Sequence, residues 1–254
     1  MTIFLYGIAA SGLAGLGTGL GALPVLFVRQ MSNRTMSTLL GGSAGIMLAA
    51  TSFSLIIPGI TQGDLLWPGY GVFIAIAGIL VGGIFLDIID KTLPHEHFAA
   101  GPEGPSTRLQ RIWLFVIAIT IHNFPEGMAV GVGFGTGDVG GGVSLAIGIG
   151  LQNMPEGLAV ALPLVGLGYS RLKALGIATL TGLVEPVGGL LGAGLVSVFH
   201  PILPFALTFA AGAMLFVISD EIIPETHAEG KSRLATYGVL VGFVIMMGLD
   251  NLLG

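Results

Sequence analysis

The chain has 254 residues, 53% of them hydrophobic and only 9% charged, with a formal net charge of −5 and a mean hydropathy of +0.93. A soluble domain carries roughly 25% charged residues, so this chain cannot clothe a water-facing surface and reads as an all-α integral membrane protein. It has no cysteine, which excludes disulfides and thiolate metal sites, and no basic stretch precedes the first apolar run, which is therefore not read as a cleavable signal peptide.

Eight apolar runs have the length of about 20 residues that a spanning helix needs. They lie near 3–28, 35–60, 68–90, 110–135, 143–165, 172–197, 201–225 and 232–253, in one polytopic domain over 1–254. All nine basic residues fall in or beside the odd-numbered connections: Arg29 and Arg34, then Lys91, Arg108 and Arg111, then Arg171 and Lys173, then Lys231 and Arg233. The positive-inside rule puts those connections in the cytoplasm and both termini outside, in a multi-pass plasma (inner) membrane protein. The 43 glycines suit close approach of helices.

Span two carries "AGIML", with Met47 near the midplane and Ser54 a turn or two further out. Span three ends on Asp87 and Asp90, and its connection holds His95, Glu96 and His97. Span four contains "IHNFPEGMAV" from Ile121, and span five repeats it as "LQNMPEGLAV" from Leu151. Both motifs lie near the midplane, as does Glu185 in "TGLVEPVGG" of span six. Span seven carries "AGAML", then Asp220, Glu221 and Glu225, with His227 just beyond. Asp250 stands near the outer end of span eight.

Ionisable residues at this depth cost at least ~2.5–3.5 kcal/mol each. No Lys or Arg lies deeper in a span than its first residues, too far away to pair with them, which leaves protonation, water or a metal cation. The spacing favours a metal. His122 and Glu126 stand at i and i+4 on one helix face, as do Gln152 and Glu156, and imidazole and carboxylate are good ligands for first-row divalent ions. Pro125 and Pro155 lack an N–H and so free the carbonyls of Ile121 and Leu151, with a kink expected in each helix. Gly127 and Gly157 are expected to let spans four and five pack closely. Asn123 and Asn153 lie one residue round from the first ligand pair, and Glu185 can face them from span six. Taken singly, each residue has a plainer role: a structural proline kink, amide glue between helices, methionine as packing, a glutamate as proton carrier, acids at helix ends. The conjunction of three midplane carboxylates, one histidine and three amides without an internal cation is what points to a metal site.

The repeats carry a second signal. "AGIML" followed by "IIP" in span two returns as "AGAML" followed by "IIP" in span seven, with a one-residue slip. The two spans run in opposite directions, as do spans four and five. Matching sequence in opposed directions is the signature of inverted repeats, common among transporters with midplane sites.

"HNFPEG", "QNMPEG" and the "VEP" of span six, together with "SFSLIIPG", "PHEHF" and "DEIIPETH", resemble the ZIP (Zrt/Irt-like) divalent metal transporters, in their bacterial GufA-like branch. The resemblance implies eight transmembrane helices in a 3+2+3 arrangement, uptake towards the cytoplasm, and a two-metal centre between spans two, four, five and six. A first site would use Met47, His122, Glu126, Gln152 and Glu156; a second, Asn123, Asn153, Glu156 and Glu185. Close relatives place Asp where this chain has Asn153. With three carboxylates ionised and the histidine neutral the centre totals −3, so one divalent ion is favoured over two. Ser54, Asp220 and Glu221 would line a route, and His95, His97 and His227 would capture metal on the inside.

The expected substrate is Zn²⁺ or Cd²⁺, which suit His, Glu, Gln and a thioether together, with Fe²⁺ and Mn²⁺ as further candidates; no prosthetic group is expected. Membrane lipid is the surrounding partner, nucleic acid is not one, and a homodimer stays open. Two rival functions fit the residues less well. An intramembrane metalloenzyme would want HExxH or many central histidines, which the chain lacks. A proton-coupled solute carrier leaves the repeated i, i+4 ligand spacing without a purpose.

Overall fold

The structure is a computed structural model and describes residues 2–28, 30–92, 108–227 and 233–253. Among the described residues eleven α-helices follow one another: α1 (Thr2–Ala22), α2 (Asn33–Ala50), α3 (Ile57–Leu66), α4 (Gly71–Thr92), α5 (Arg108–Gly133), α6 (Val139–Gly166), α7 (Arg171–Gly182), α8 (Glu185–Val198), α9 (Leu203–Val217), α10 (Ile223–His227) and α11 (Arg233–Leu253). No strand occurs among the described residues. Polar turns set the boundaries. Ser32, Asp138 and Ser170 cap α2, α6 and α7 by accepting from the N–H of Thr35, Gly141 and Lys173. Gly137 and Gly168, with φ of +84° and +94°, turn the chain before and after α6 where a side chain would be strained.

Seven stretches of the described residues are long and apolar enough to cross a membrane: 4–26, 33–66, 71–89, 139–166, 171–198, 200–227 and 233–253. They match seven of the expected spans to within a few residues at most ends; span two runs on to Leu66. The remaining expected span falls on α5, a helix of 26 residues that carries His122, Asn123 and Glu126 and is not among the seven.

Two spans contain π-helical segments. One, Thr51–Ile56, joins α2 to α3; the other, Ile218–Ile222, joins α9 to α10. They occupy matching places, between the AGxML and IIP sequences of spans two and seven. Span six is broken at Leu183 and Val184, between α7 and α8. Pro186, in the first turn of α8, supplies no N–H and disfavours helix at the residue before it. Pro125 and Pro155, by contrast, lie inside α5 and α6, which continue through them.

The helices pack as two groups. In one, α1 lies along α6, α5 along α8, and α1 also touches α7 and α8; in the other, α2 lies along α11 and α4 along α9. Exchanging spans one to three with six to eight, and four with five, turns each pairing into its counterpart. The groups meet where α2 crosses α6 and α9 crosses α5. The buried core at that meeting includes Met47, Ala50, Leu55, Leu145, Ile149, Leu207, Met214 and Ile218. Elsewhere large apolar side chains face outward, as along α4 (Phe73, Ile76, Leu80, Ile84) and α11 (Leu240, Val241, Val244, Ile245), which fits hydrocarbon as the solvent. Two tryptophans mark opposite ends of the bundle. Trp67 follows α3. Trp113, in the first turns of α5, donates its Nε1–H to the Tyr169 hydroxyl at 3.0 Å, and Lys173 sits 5.0 Å over the Tyr169 ring.

Candidate metal centre

The polar residues expected at the midplane are carried where α5 packs between α8 and α6, with α2 against the other side of α6. His122, Asn123 and Glu126 of α5, Gln152, Asn153 and Glu156 of α6, Glu185 at the start of α8 and Met47 of α2 are all buried. Glycines allow this closeness, but not between α5 and α6 as the sequence suggested. A methyl group at Gly127 would overlap the Glu185 carbonyl of α8, and one at Gly157 would overlap the Thr18 carbonyl of α1. Each glycine faces its helix's own long-packed neighbour, so α5 seats on α8 and α6 on α1, with the ligand faces left toward the centre.

Each carboxylate has a donor from another helix. The Gln152 amide donates to Glu126 Oε1 at 2.6 Å, and the Asn153 amide to Glu185 Oε1 at 2.6 Å. The Ser43 hydroxyl of α2 donates to the Gln152 carbonyl at 2.6 Å and lies 3.3 Å from Glu156 Oε1. His122 Nε2 contacts Glu221 Oε1, carried by the π segment of span seven. Asn153 Nδ2 also donates to the Ala14 carbonyl at 2.9 Å. Both neighbours of that nitrogen are acceptors, which fixes the amide's orientation: reversed, its oxygen would face two oxygens.

Five side-chain oxygens in this centre are buried without a hydrogen-bond partner among the described residues: Asn123 Oδ1, Glu126 Oε2, Gln152 Oε1, Asn153 Oδ1 and Glu185 Oε2. A single buried polar atom left so costs about 1–3 kcal/mol. Five oxygens from three helices form a lining that suits a cation. As placed, no three His, Cys, Asp or Glu side chains among the described residues already stand as a metal cage, since amides hold the carboxylates apart.

The other expected residues are distributed along the spans. Ser54 donates to Asp250 Oδ1 at 2.6 Å, joining spans two and eight. Asp220 is exposed and Glu221 partly buried. His227 bonds the Thr226 hydroxyl at 2.7 Å at the end of span seven. Asp87 pairs with Lys91 at 2.7 Å. His95, Glu96 and His97 lie outside the described residues. Two participants escaped the sequence reading. The Ala14 carbonyl is a backbone group and carries no sequence signal. Ser43 did have one, since it stands four residues before Met47 on the same face of α2.

Comparison with known proteins places the chain among zinc transporters. The family model described as "ZIP Zinc transporter" matches residues 90–250. The chain is 47% identical to the zinc transporter GufA of Myxococcus xanthus, over 98% of this chain and 99% of that protein. It is 44% identical to the zinc transporter ZIPB of Bordetella bronchiseptica, over 96% of this chain and 80% of that one. With the zinc transporter ZIP11 of Homo sapiens it shares 34% identity over 93% and 94% of the two chains.

Proposed function

The chain belongs to the ZIP zinc-transporter family, and from that premise we propose that it carries Zn²⁺ or a similar divalent ion across the membrane into the cytoplasm through the midplane centre. It is a transporter and not an enzyme. The observation that carries the site assignment is the set of five unpartnered buried oxygens on α5, α6 and α8. His122, Glu126, Gln152, Glu156 and Met47 are the first-site ligands. For the ion to bind, the Gln152 amide releases Glu126 Oε1 and the His122 imidazole leaves Glu221. Asn123, Asn153, Glu156 and Glu185 form a weaker second position, because Asn153 offers a neutral amide oxygen where a carboxylate would bridge two cations. Zn²⁺ and Cd²⁺ fit this mixture of imidazole, carboxylate, amide oxygen and thioether best, with Fe²⁺ and Mn²⁺ as weaker substrates.

The chain works as one polytopic unit of eight spans, with α5 as the fourth, in a 3+2+3 inverted arrangement. The charge segregation supports an inner-membrane location with both termini outside. Ser54 and Asp250 lie on the outer side of the route and Asp220 and Glu221 on the inner side, where their negative charge draws cations onward. Lipid surrounds α4 and α11, and a dimer formed through either exposed face is compatible with this plan. The test is Zn²⁺ uptake into proteoliposomes without ATP or organic solute, beside equilibrium dialysis of the purified chain. Wild type should bind and take up Zn²⁺; Glu126→Ala should lower both by about 100-fold or more, since even residues that only support metal ligands are worth 10–100-fold. Undiminished binding by a folded Glu126→Ala chain overturns the site.

A further inference from the structure

Polar side-chain contacts cross between the helix groups at the centre as well as apolar ones. One polar contact is His122 against Glu221; another is Ser43 of α2 on Gln152 and Glu156 of α6. The second deserves a role of its own. Met47 is the sole first-site ligand from the group containing span two, and a thioether exerts no long-range pull that could place it. Something must set the sliding register between α2 and α6.

Ser43 is fully buried, with 1% of its surface exposed, in the small-residue run "GGSAGIML". Its hydroxyl has one proton, and the 2.6 Å bond takes it to the Gln152 carbonyl, with Glu156 Oε1 at 3.3 Å as the weaker acceptor. Ser43 and Met47 stand at i and i+4 on α2; Gln152 and Glu156 stand at i and i+4 on α6. As an even and an odd span, the helices are antiparallel. Fixing Ser43 at the Gln152–Glu156 turn therefore fixes Met47 one turn away, towards Gly148. A Cβ at Gly148 would meet Met246 of α11 first and then Ile46 Cγ2 at 3.6 Å, which puts the Ile46–Met47 turn of α2 at the level of Gly148.

We propose that Ser43 is a positioning residue whose hydroxyl pins span two to the ligand turn of span five, so that the Met47 thioether completes the metal site and gives it its preference for softer cations. The inference rests on the metal-site reading above. Its content beyond that reading is that the contribution of Met47 depends on a hydroxyl that touches no metal.

The experiment measures Zn²⁺ and Cd²⁺ affinities by competition on the purified full-length chain, for wild type, Ser43→Ala, Ser43→Thr, Met47→Ala and the double variant Ser43→Ala/Met47→Ala. A thioether favours Cd²⁺ over Zn²⁺, so Met47→Ala should lower the Cd²⁺/Zn²⁺ affinity ratio. Ser43→Ala should lower that ratio roughly 3- to 10-fold, the range that corresponds to losing one buried hydrogen bond. Ser43→Thr, which keeps the hydroxyl, should restore it. The double variant should be no worse than Met47→Ala alone, since the two losses are then one loss. A serine that merely packs would lower both affinities alike and leave the ratio unmoved, and that outcome overturns the proposal. Additive losses in the double variant overturn it too. If Met47→Ala leaves the ratio intact, both the ligand role of Met47 and the pin are wrong. If Glu126→Ala also binds normally, the site reading itself has failed.

Discussion

Both donors of the Asn153 amide end on acceptors, and a carboxylate in its place has nothing to offer either of them. Asn153→Asp would set a fourth carboxylate against Glu185 and the Ala14 carbonyl, an arrangement relieved by a proton shared between the carboxylates or by a cation. The metal-free variant should be less stable by about 1–3 kcal/mol, the cost of an unmade buried hydrogen bond; thermal unfolding with and without Zn²⁺ measures it. Metal per protein, followed by dialysis, should rise from near one towards two, with turnover unchanged or lower because the ion must also leave. Two ions on the wild type and no change on substitution would remove the charge argument. His122→Ala should nearly abolish uptake, since it takes away the one imidazole of the centre. Much of this chemistry was legible in the sequence, because His122, Glu126, Gln152 and Glu156 stand at helical spacing in a repeated motif with no cation to pair them. The pairing of each amide with a carboxylate on another helix was not legible, nor was the Ala14 carbonyl, because those depend on which helices touch.

The π segments account for an irregularity in the repeats. Between the methionine and the IIP sequence, span seven is one residue shorter than span two. Its π segment has five residues where that of span two has six, so the slip falls within the irregular turns and leaves the flanking helices in phase. Periodicity cannot announce such a turn in a run that is apolar all round. The break in span six could have been read from Pro186, which prefers the first turn of a helix, whereas Pro125 and Pro155 gave no clue that their helices run on. At this scale the glycines make contrasting predictions. Gly127→Ala drives a methyl into the Glu185 carbonyl, so α5 and α8 must separate; a cost of about 1–3 kcal/mol, as for other overpacked contacts, should appear in unfolding together with weaker metal binding. Gly176→Ala on α7 meets nothing within 4 Å and should be neutral, or stabilising by up to about 1 kcal/mol from helix propensity. Equal effects at the two positions would mean that close packing at Gly127 is not what shapes the centre.

For the molecule as a whole, the outward apolar faces of α4 and α11 fit a multi-pass membrane protein, and the segregation of basic residues is the basis of the orientation proposed above. Length and hydropathy revealed the spans, while their division into two packed groups stayed hidden because every span offers similar apolar surface. Orientation is open to a direct test, helped by the absence of native cysteine. A cysteine at Asp138 should react with an impermeant thiol reagent from outside, and one at Ser106 only after permeabilisation; the reverse pattern would invert the topology. The placement of the two tryptophans gives the native chain an optical version of the same experiment. Trp67 and Trp113 lie at opposite ends of the bundle, and α4 separates them as a single crossing. In the proposed placement each bilayer face has its own intrinsic fluorophore, one of them distinguished by its hydrogen bond to Tyr169. Iodide confined to the outside of sealed, uniformly oriented vesicles should dim the emission that Trp67→Phe removes and spare the emission that Trp113→Phe removes. The same two signals, followed in time, would report whether an arriving ion is felt first at one face of the membrane or at both together.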